Sequence, residues 1–129
     1  MDNIKITNNI LELYLGLDRA QTFIIPDGVK KIGAGACSNN KYIKEIVIPP
    51  SVISIEERAF AGCVNLTTVI IPDTVEFVGP EAFAGCVKLV TLYTDPRRTF
   101  YADGVFSHCE SLREINFPAK KCRAFYIKK

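Results

Sequence analysis

The sequence predicts an α/β repeat fold, a single solenoid whose coils each add a short strand to a parallel sheet and return through a short helical or 3₁₀ turn. Three observations carry that prediction. Apolar residues recur at a fixed interval of 23 residues, proline and glycine recur at the same interval, and a unit of that length cannot bury its own apolar face without a stacked neighbour.

The interval is read directly from two segments. Residues 48 to 63 are IPPSVISIEERAFAGC and residues 71 to 86 are IPDTVEFVGPEAFAGC, an offset of 23. The same offset aligns Ile25-Pro26 with Ile48-Pro49 and Ile71-Pro72, and later with Phe117-Pro118. Further columns are Val29, Val52, Val75; Ile32, Ile55, Val78; Ala36, Ala59, Ala82, Val105; Phe60, Phe83, Phe106; and Cys63, Cys86, Cys109. Ile43, Leu66, Leu89 and Leu112 form another, as do Phe23, Ile46, Val69, Leu92 and Ile115.

Each element follows from these columns. Leu66-Thr67-Thr68-Val69-Ile70-Ile71 fits L-x-x-L-x-L, a strand with Val69 and Ile71 inward and Thr68 and Ile70 outward by the period of two. Pro72 ends it for want of an N–H, and Asp73-Thr74 suits a turn. Val75-x-x-Val78 predicts a second short extended piece. PEAFAGC then predicts a short helix or 3₁₀ turn closed by Gly85. The fourth repeat departs from the pattern: Asp95 stands in the proline column, Arg98 in the valine column and Tyr101 in the isoleucine column, which predicts a local bulge.

The ends fall out of frame. Residues 1–19 are read as an N-terminal cap, residues 20–118 as about five repeats, and residues 119–129 as a C-terminal cap or truncated repeat. IKI-TNN-ILEL predicts a hairpin covering the first coil.

Composition limits the function classes. A chain of 129 residues fits one domain able to bury a core without disulfides or metal. Sixteen Lys and Arg against fourteen Asp and Glu, a formal charge of +2, give none of the basic excess expected for nucleic acid or an anionic membrane. No apolar run reaches the roughly 18 residues needed to span a bilayer. Asp2 and Glu12 make the N-terminus a poor secretory leader, so either the protein stays inside the cell or a signal lies outside this sequence. Five cysteines, an odd number, argue against a fully paired disulfide framework.

The recurring I-P-x-x-V-x-x-I-x-x-x-A-F-x-x-C-x-x-L resembles the BspA-like leucine-rich repeat family over about residues 20 to 118. The resemblance implies a right-handed leucine-rich repeat solenoid, and a bacterial surface or secreted setting with adhesion or protein recognition as its role. It also implies that further repeats are common beyond a chain of this length. Cys37 in the phenylalanine column and Asn40 in the cysteine column depart from the pattern, so Cys37 occupies a different position from Cys63, Cys86 and Cys109.

The candidate chemistry reduces to structure. The single histidine, His108, should diverge from an inward Cys109, which opposes a nucleophile-base pair. Equivalent cysteines on stacked coils form a row spaced by about 4.8 Å, and a line cannot surround a metal ion. Parallel side chains also set neighbouring Cβ atoms about 1 Å too far apart for an ordinary disulfide. The thiols read as small apolar core groups and the phenylalanines as a stacked ladder. The glycines form no phosphate loop, and no cofactor is expected. Asp95-Pro96-Arg97-Arg98 reads as a solvated charged turn, with Phe100 and Tyr101 adding interest.

Function is expected on the outward residues of the strands. The first outward column is Thr22, Glu45, Thr68, Thr91 and Glu114; the second is Ile24, Val47, Ile70, Tyr93 and Asn116. Four of the five in the second column are apolar or aromatic. Strand propensity alone favours such residues, but an apolar stripe along an exposed sheet also marks a binding surface. The expected function is a noncatalytic module that binds a protein ligand, without nucleic acid or membrane insertion. A self-associating scaffold and an enzyme using Cys109 with His108 are the alternatives.

Overall fold

In the computed structural model the described residues are 3–116. They form two sheets that run the length of a solenoid. One sheet contains β1 (Ile4–Thr7), β2 (Ile10–Tyr14), β4 (Lys31–Ile32), β6 (Ser54–Ile55), β8 (Phe77–Val78) and β10 (Phe100–Tyr101), adjacent in that order. The other contains β3 (Thr22–Ile24), β5 (Glu45–Val47), β7 (Thr68–Ile70), β9 (Thr91–Tyr93) and β11 (Glu114–Asn116). Apart from the β1–β2 hairpin, every pairing is parallel; β2 meets β4 at an offset of 21 residues, and from β3 and β4 onward the coil-to-coil register is 23, as in Thr68 opposite Thr91 and Phe77 opposite Phe100.

The strands are short because the sequence stops them. Ile25, Ile48 and Ile71 each precede a proline, which has no N–H for a ladder bond. The predicted hairpin forms, with Asn8 and Asn9 at φ 52° and 65°, the left-handed pair of a two-residue turn. It caps one end: β2 pairs with β4, and Tyr14 stacks on Phe23 with ring centroids 3.8 Å apart. The Tyr14 hydroxyl donates to Asp18 Oδ1 at 2.7 Å. Burial first, and this carboxylate second, push the Tyr14 pKa up to about 12.

The predicted helical turns are absent: the described residues contain no helix. Each return arc instead holds two left-handed residues four positions apart. Gly35 with Asn39, Arg58 with Gly62, Glu81 with Gly85 and Gly104 with His108 all have φ between 55° and 77°. A left-handed residue breaks the continuous i→i−4 ladder that an α-helix requires. The hydrogen bonds show what replaces it. Ala59 N–H donates to Glu56 O and Ala61 N–H to Arg58 O inside the arc, whereas Arg58, Phe60 and Gly62 N–H donate to Pro80, Ala82 and Ala84 O of the next coil. Alternate amides thus serve the turn and the stack, and neither set is left unpaired.

The core lies between the two sheets and the arcs. Val52, Ile55, Ala59, Phe60, Cys63, Leu66 and Val69 are all 0% exposed, one residue from each apolar column. Burying a phenylalanine or leucine at such a site contributes about 1.5–3 kcal/mol. Phe60 stacks on Phe83 at 5.2 Å, and Phe83 on Phe106 at 5.8 Å, within 13° of parallel. Gly79 lets adjacent coils approach: a Cβ there would lie 2.7 Å from Glu57 N, a backbone atom with no room to move.

Candidate protein-binding face

The five-stranded sheet carries all ten residues of the two expected outward columns. Thr22, Glu45, Thr68, Thr91 and Glu114 open β3, β5, β7, β9 and β11, and Ile24, Val47, Ile70, Tyr93 and Asn116 close them. The middle residues Phe23, Ile46, Val69 and Leu92 belong to the core cluster, and Ile25, Ile48 and Ile71 just beyond the strands join them. Val47 and Ile70 do not belong to that cluster, as the period of two requires.

Exposure divides the second column. Ile24 is 66% exposed, but Val47 is 9% and Ile70 3%, while Tyr93 and Asn116 are half-buried. A continuous wet apolar stripe is therefore not what the sheet presents. Alternation along a strand fixes which way a side chain points, and it carries no information on how deeply neighbours cover it. The first column is polar: Thr22 and Glu114 are exposed, Glu45, Thr68 and Thr91 are half-buried, and Thr91 Oγ1 donates to Glu114 Oε1 at 2.8 Å across strands. Open contact area is greatest at the two ends of the sheet.

The thiols are placed as a row, with a feature that spacing did not reveal. Cys63 Sγ donates to Cys37 O at 3.3 Å, Cys86 Sγ to Phe60 O at 3.3 Å, and Cys109 Sγ to Phe83 O at 3.1 Å, so each thiol is tied to the preceding coil. Cys37, Cys63, Cys86 and Cys109 are free of disulfides. Cys122 lies outside the described residues. Burial pushes the Cys37 thiol far up. For Cys86 the Cys109 thiol acts downward, but the Cys63 thiol and burial outweigh it and leave the pKa at about 12. The Cys86 thiol first, and burial second, push Cys109 far up. A thiolate nucleophile is thus disfavoured at Cys37, Cys86 and Cys109. His108 is exposed beside the half-buried Cys109. Among the described residues no group of three or more His, Cys, Asp or Glu could hold a metal ion, and no helix is long and apolar enough to cross a membrane.

A second cluster forms where the fourth repeat departs from the pattern. The strand register shows no bulge there, since Phe100 stays opposite Phe77 and Tyr101 opposite Val78; the turn before β10 instead buries Asp95, 3% exposed, and leaves Arg97 and Arg98 outside. Beside them Phe100 stacks on Phe77 at 6.0 Å. The sequence held the signal, since both are phenylalanines and 100 − 77 = 23. The columns for 77 and 100 hold Lys31 and Ser54 in earlier coils, which hid the pair from a search for uniform columns.

The model for the BspA type leucine-rich repeat region matches residues 3–126, in six copies. No curated protein matches the chain. Among solved structures, a leucine-rich repeat protein from Eubacterium ventriosum is 30% identical with a TM-score of 0.71, over 83% of this chain and 29% of that one. A leucine rich cell surface protein from Faecalibacterium prausnitzii is 24% identical with a TM-score of 0.72, over 96% of this chain and 41% of the other. The T. pallidum leucine-rich repeat protein shares the fold at 20% identity and a TM-score of 0.67, over 89% of this chain and 68% of that one. The chain spans less than half the length of the first two. A family model that covers every described residue, on a solenoid whose coil register is the sequence interval itself, places this chain in the BspA-type leucine-rich repeat family.

Proposed function

We propose that the protein is a noncatalytic protein-interaction module that takes its ligand on the outward face of the five-stranded sheet. The observation that carries this reading is the display itself. Five strands in parallel register hold two columns of outward residues, which range from Thr and Glu to Ile, Val, Tyr and Asn, whereas every residue of the inward column is apolar. Leucine-rich repeat families generally serve as protein-interaction scaffolds, which supports the same reading. A position at the bacterial surface is part of the proposal and draws support from the similar Faecalibacterium protein, a leucine rich cell surface protein.

The open end of the face, Thr22 with Ile24, is the part a ligand reaches most readily. Its test is a photo-crosslinking residue placed at position 22, identification of the crosslinked protein, and measurement of that protein's affinity for two variants. Ile24→Glu is expected to weaken binding about tenfold or more, as burying a charge against an apolar contact does. Ser38→Glu, on an exposed return arc, is expected to leave it unchanged. Equal affinities for the two variants would refute the assignment of the face.

A further inference from the structure

Among the described residues only four polar side chains are buried, and three of them, Thr94, Asp95 and Thr99, occupy one corner of the fourth coil. The preceding coil has Ile71, Pro72 and Val75 where this one has Thr94, Asp95 and Arg98, and Val75 is 0% exposed. A buried carboxylate is costly unless it is paired and hydrogen-bonded. Asp95 meets that condition through three hydrogen bonds from Arg97, accepting from its backbone N–H at 3.1 Å, its Nε at 3.0 Å and its Nη2 at 3.0 Å, and through a longer ion pair with Arg98. The Arg97 guanidinium holds the Asp95 carboxyl below the usual range, and Asp95 raises Arg97 in turn. Thr99 Oγ1 donates to Val75 O at 2.6 Å, and the Thr94 and Tyr101 hydroxyls share a hydrogen bond. A valine in this corner would supply the core at less cost. What the polar network adds is a fixed loop shape.

That loop holds up two cations and an aromatic ring. The Arg97 and Arg98 side chains are 80% and 63% exposed. Arg97 is engaged by Asp95, whereas Arg98 Nε lies 3.9 Å from Asp95 Oδ2 and has no closer carboxylate among the described residues. Phe100, 65% exposed, presents one face of a two-ring stack whose planes differ by 8°. Both arginines and Phe100 line a groove of about 430 Å³, and its one lining carboxylate is Glu76. The chemistry suited to this groove is an anion on the Arg98 guanidinium joined to a ring or apolar group over Phe100. A nucleic acid strand does not fit, because two arginines and a formal charge of +2 give no track for successive phosphates.

We propose that this corner is a second contact surface, separate from the outward sheet face, which takes an acidic peptide segment of a partner protein. A carboxylate of the segment seats on the Arg98 guanidinium, and a neighbouring aromatic side chain stacks on Phe100. The buried Asp95 network preorganises both groups before the partner arrives.

The probe is an acetylated, amidated peptide Asp-Glu-Tyr-Glu-Asp titrated into the ¹⁵N-labelled full chain. Saturable shifts confined to the amides around Phe77 and from Arg98 to Tyr101 are expected, weakening as salt rises. Arg98→Ala is expected to weaken the peptide about tenfold and Phe100→Ala about threefold or more. Both side chains are exposed, so an unchanged spectrum elsewhere certifies the fold of each variant. Absence of saturation, or shifts centred elsewhere, would overturn the proposal. So would equal binding by inorganic phosphate or by Asp-Glu-Ala-Glu-Asp, which would mark a simple anion site.

Discussion

Two neighbouring coils, residues 71–93 and residues 94–116, have the same length and register but treat their interiors differently. In the first, Val75, Val78, Ala82, Phe83, Cys86 and Leu89 are all 0% exposed. In the second, Val105 is buried, Tyr101, Phe106, Cys109 and Leu112 are half-buried, and Ile115 is 55% exposed. The fourth coil also fills its corner with a charged pair where the third has proline and valine. The second carries the exceptions, and departures from a repeat are where a solenoid acquires sites that its neighbours lack.

The sharpest way to test this contrast is to truncate the same column in both coils. Phe83→Ala leaves a void between two stacked rings and is expected to cost about 3–5 kcal/mol in urea unfolding, against about half that for Phe106→Ala. Equal losses would mean that the fourth coil is packed as tightly as the third.

Position 79 offers the next test. Gly79 cannot accept a Cβ without meeting the Glu57 backbone, yet its counterpart in the fourth coil is Ala102. Gly79→Ala is expected to destabilise by about 1–3 kcal/mol. Ala102→Gly should change the unfolding free energy by less than about 1 kcal/mol. The comparison fails if the two substitutions have similar effects.

A smaller effect concerns acid. The Asp95 pKa is depressed in the folded state, so the stability its ionised form lends is present above the unfolded value of about 3.9. That stability is lost as pH falls through the folded pKa. The difference in Tm between the wild type and Asp95→Asn should therefore shrink as the pH is lowered below about 4. A gap that stayed constant across that range would remove Asp95 from the account.

The smallest expected signal is thiol reactivity. Cys86, with its pKa at about 12, and Cys109, pushed still higher, should both label slowly at neutral pH in the native state and rapidly once urea unfolds the chain. Fast native labelling of Cys109 alone would revive the pairing of Cys109 with His108.

Much of the fold was legible because one interval governs it. The columns from Val29 to Leu112 and the Asn8-Asn9 hairpin followed from spacing and turn chemistry. The arcs were misread as helical because Arg58 and Glu81 adopt left-handed backbone that their side chains do not advertise, and because bonds to the next coil are invisible to local propensity. The candidate face was legible in direction only. Ile24 and Ile70 occupy the same column with exposures of 66% and 3%, a difference set by three-dimensional surroundings rather than by residue type.

The alternation of amide bonds along each arc also has a consequence for mechanics and evolution. Since every second N–H of the arc belongs to the adjoining coil, a coil separates from its neighbour by losing that row of bonds and the ladders of the two sheets, without unravelling its own turns. Force applied to the ends should peel the molecule in steps of one repeat. By the same logic, excising residues 48–70 would bring matching rows face to face, so the length of such a protein can drift by whole units while its cross-section stays the same.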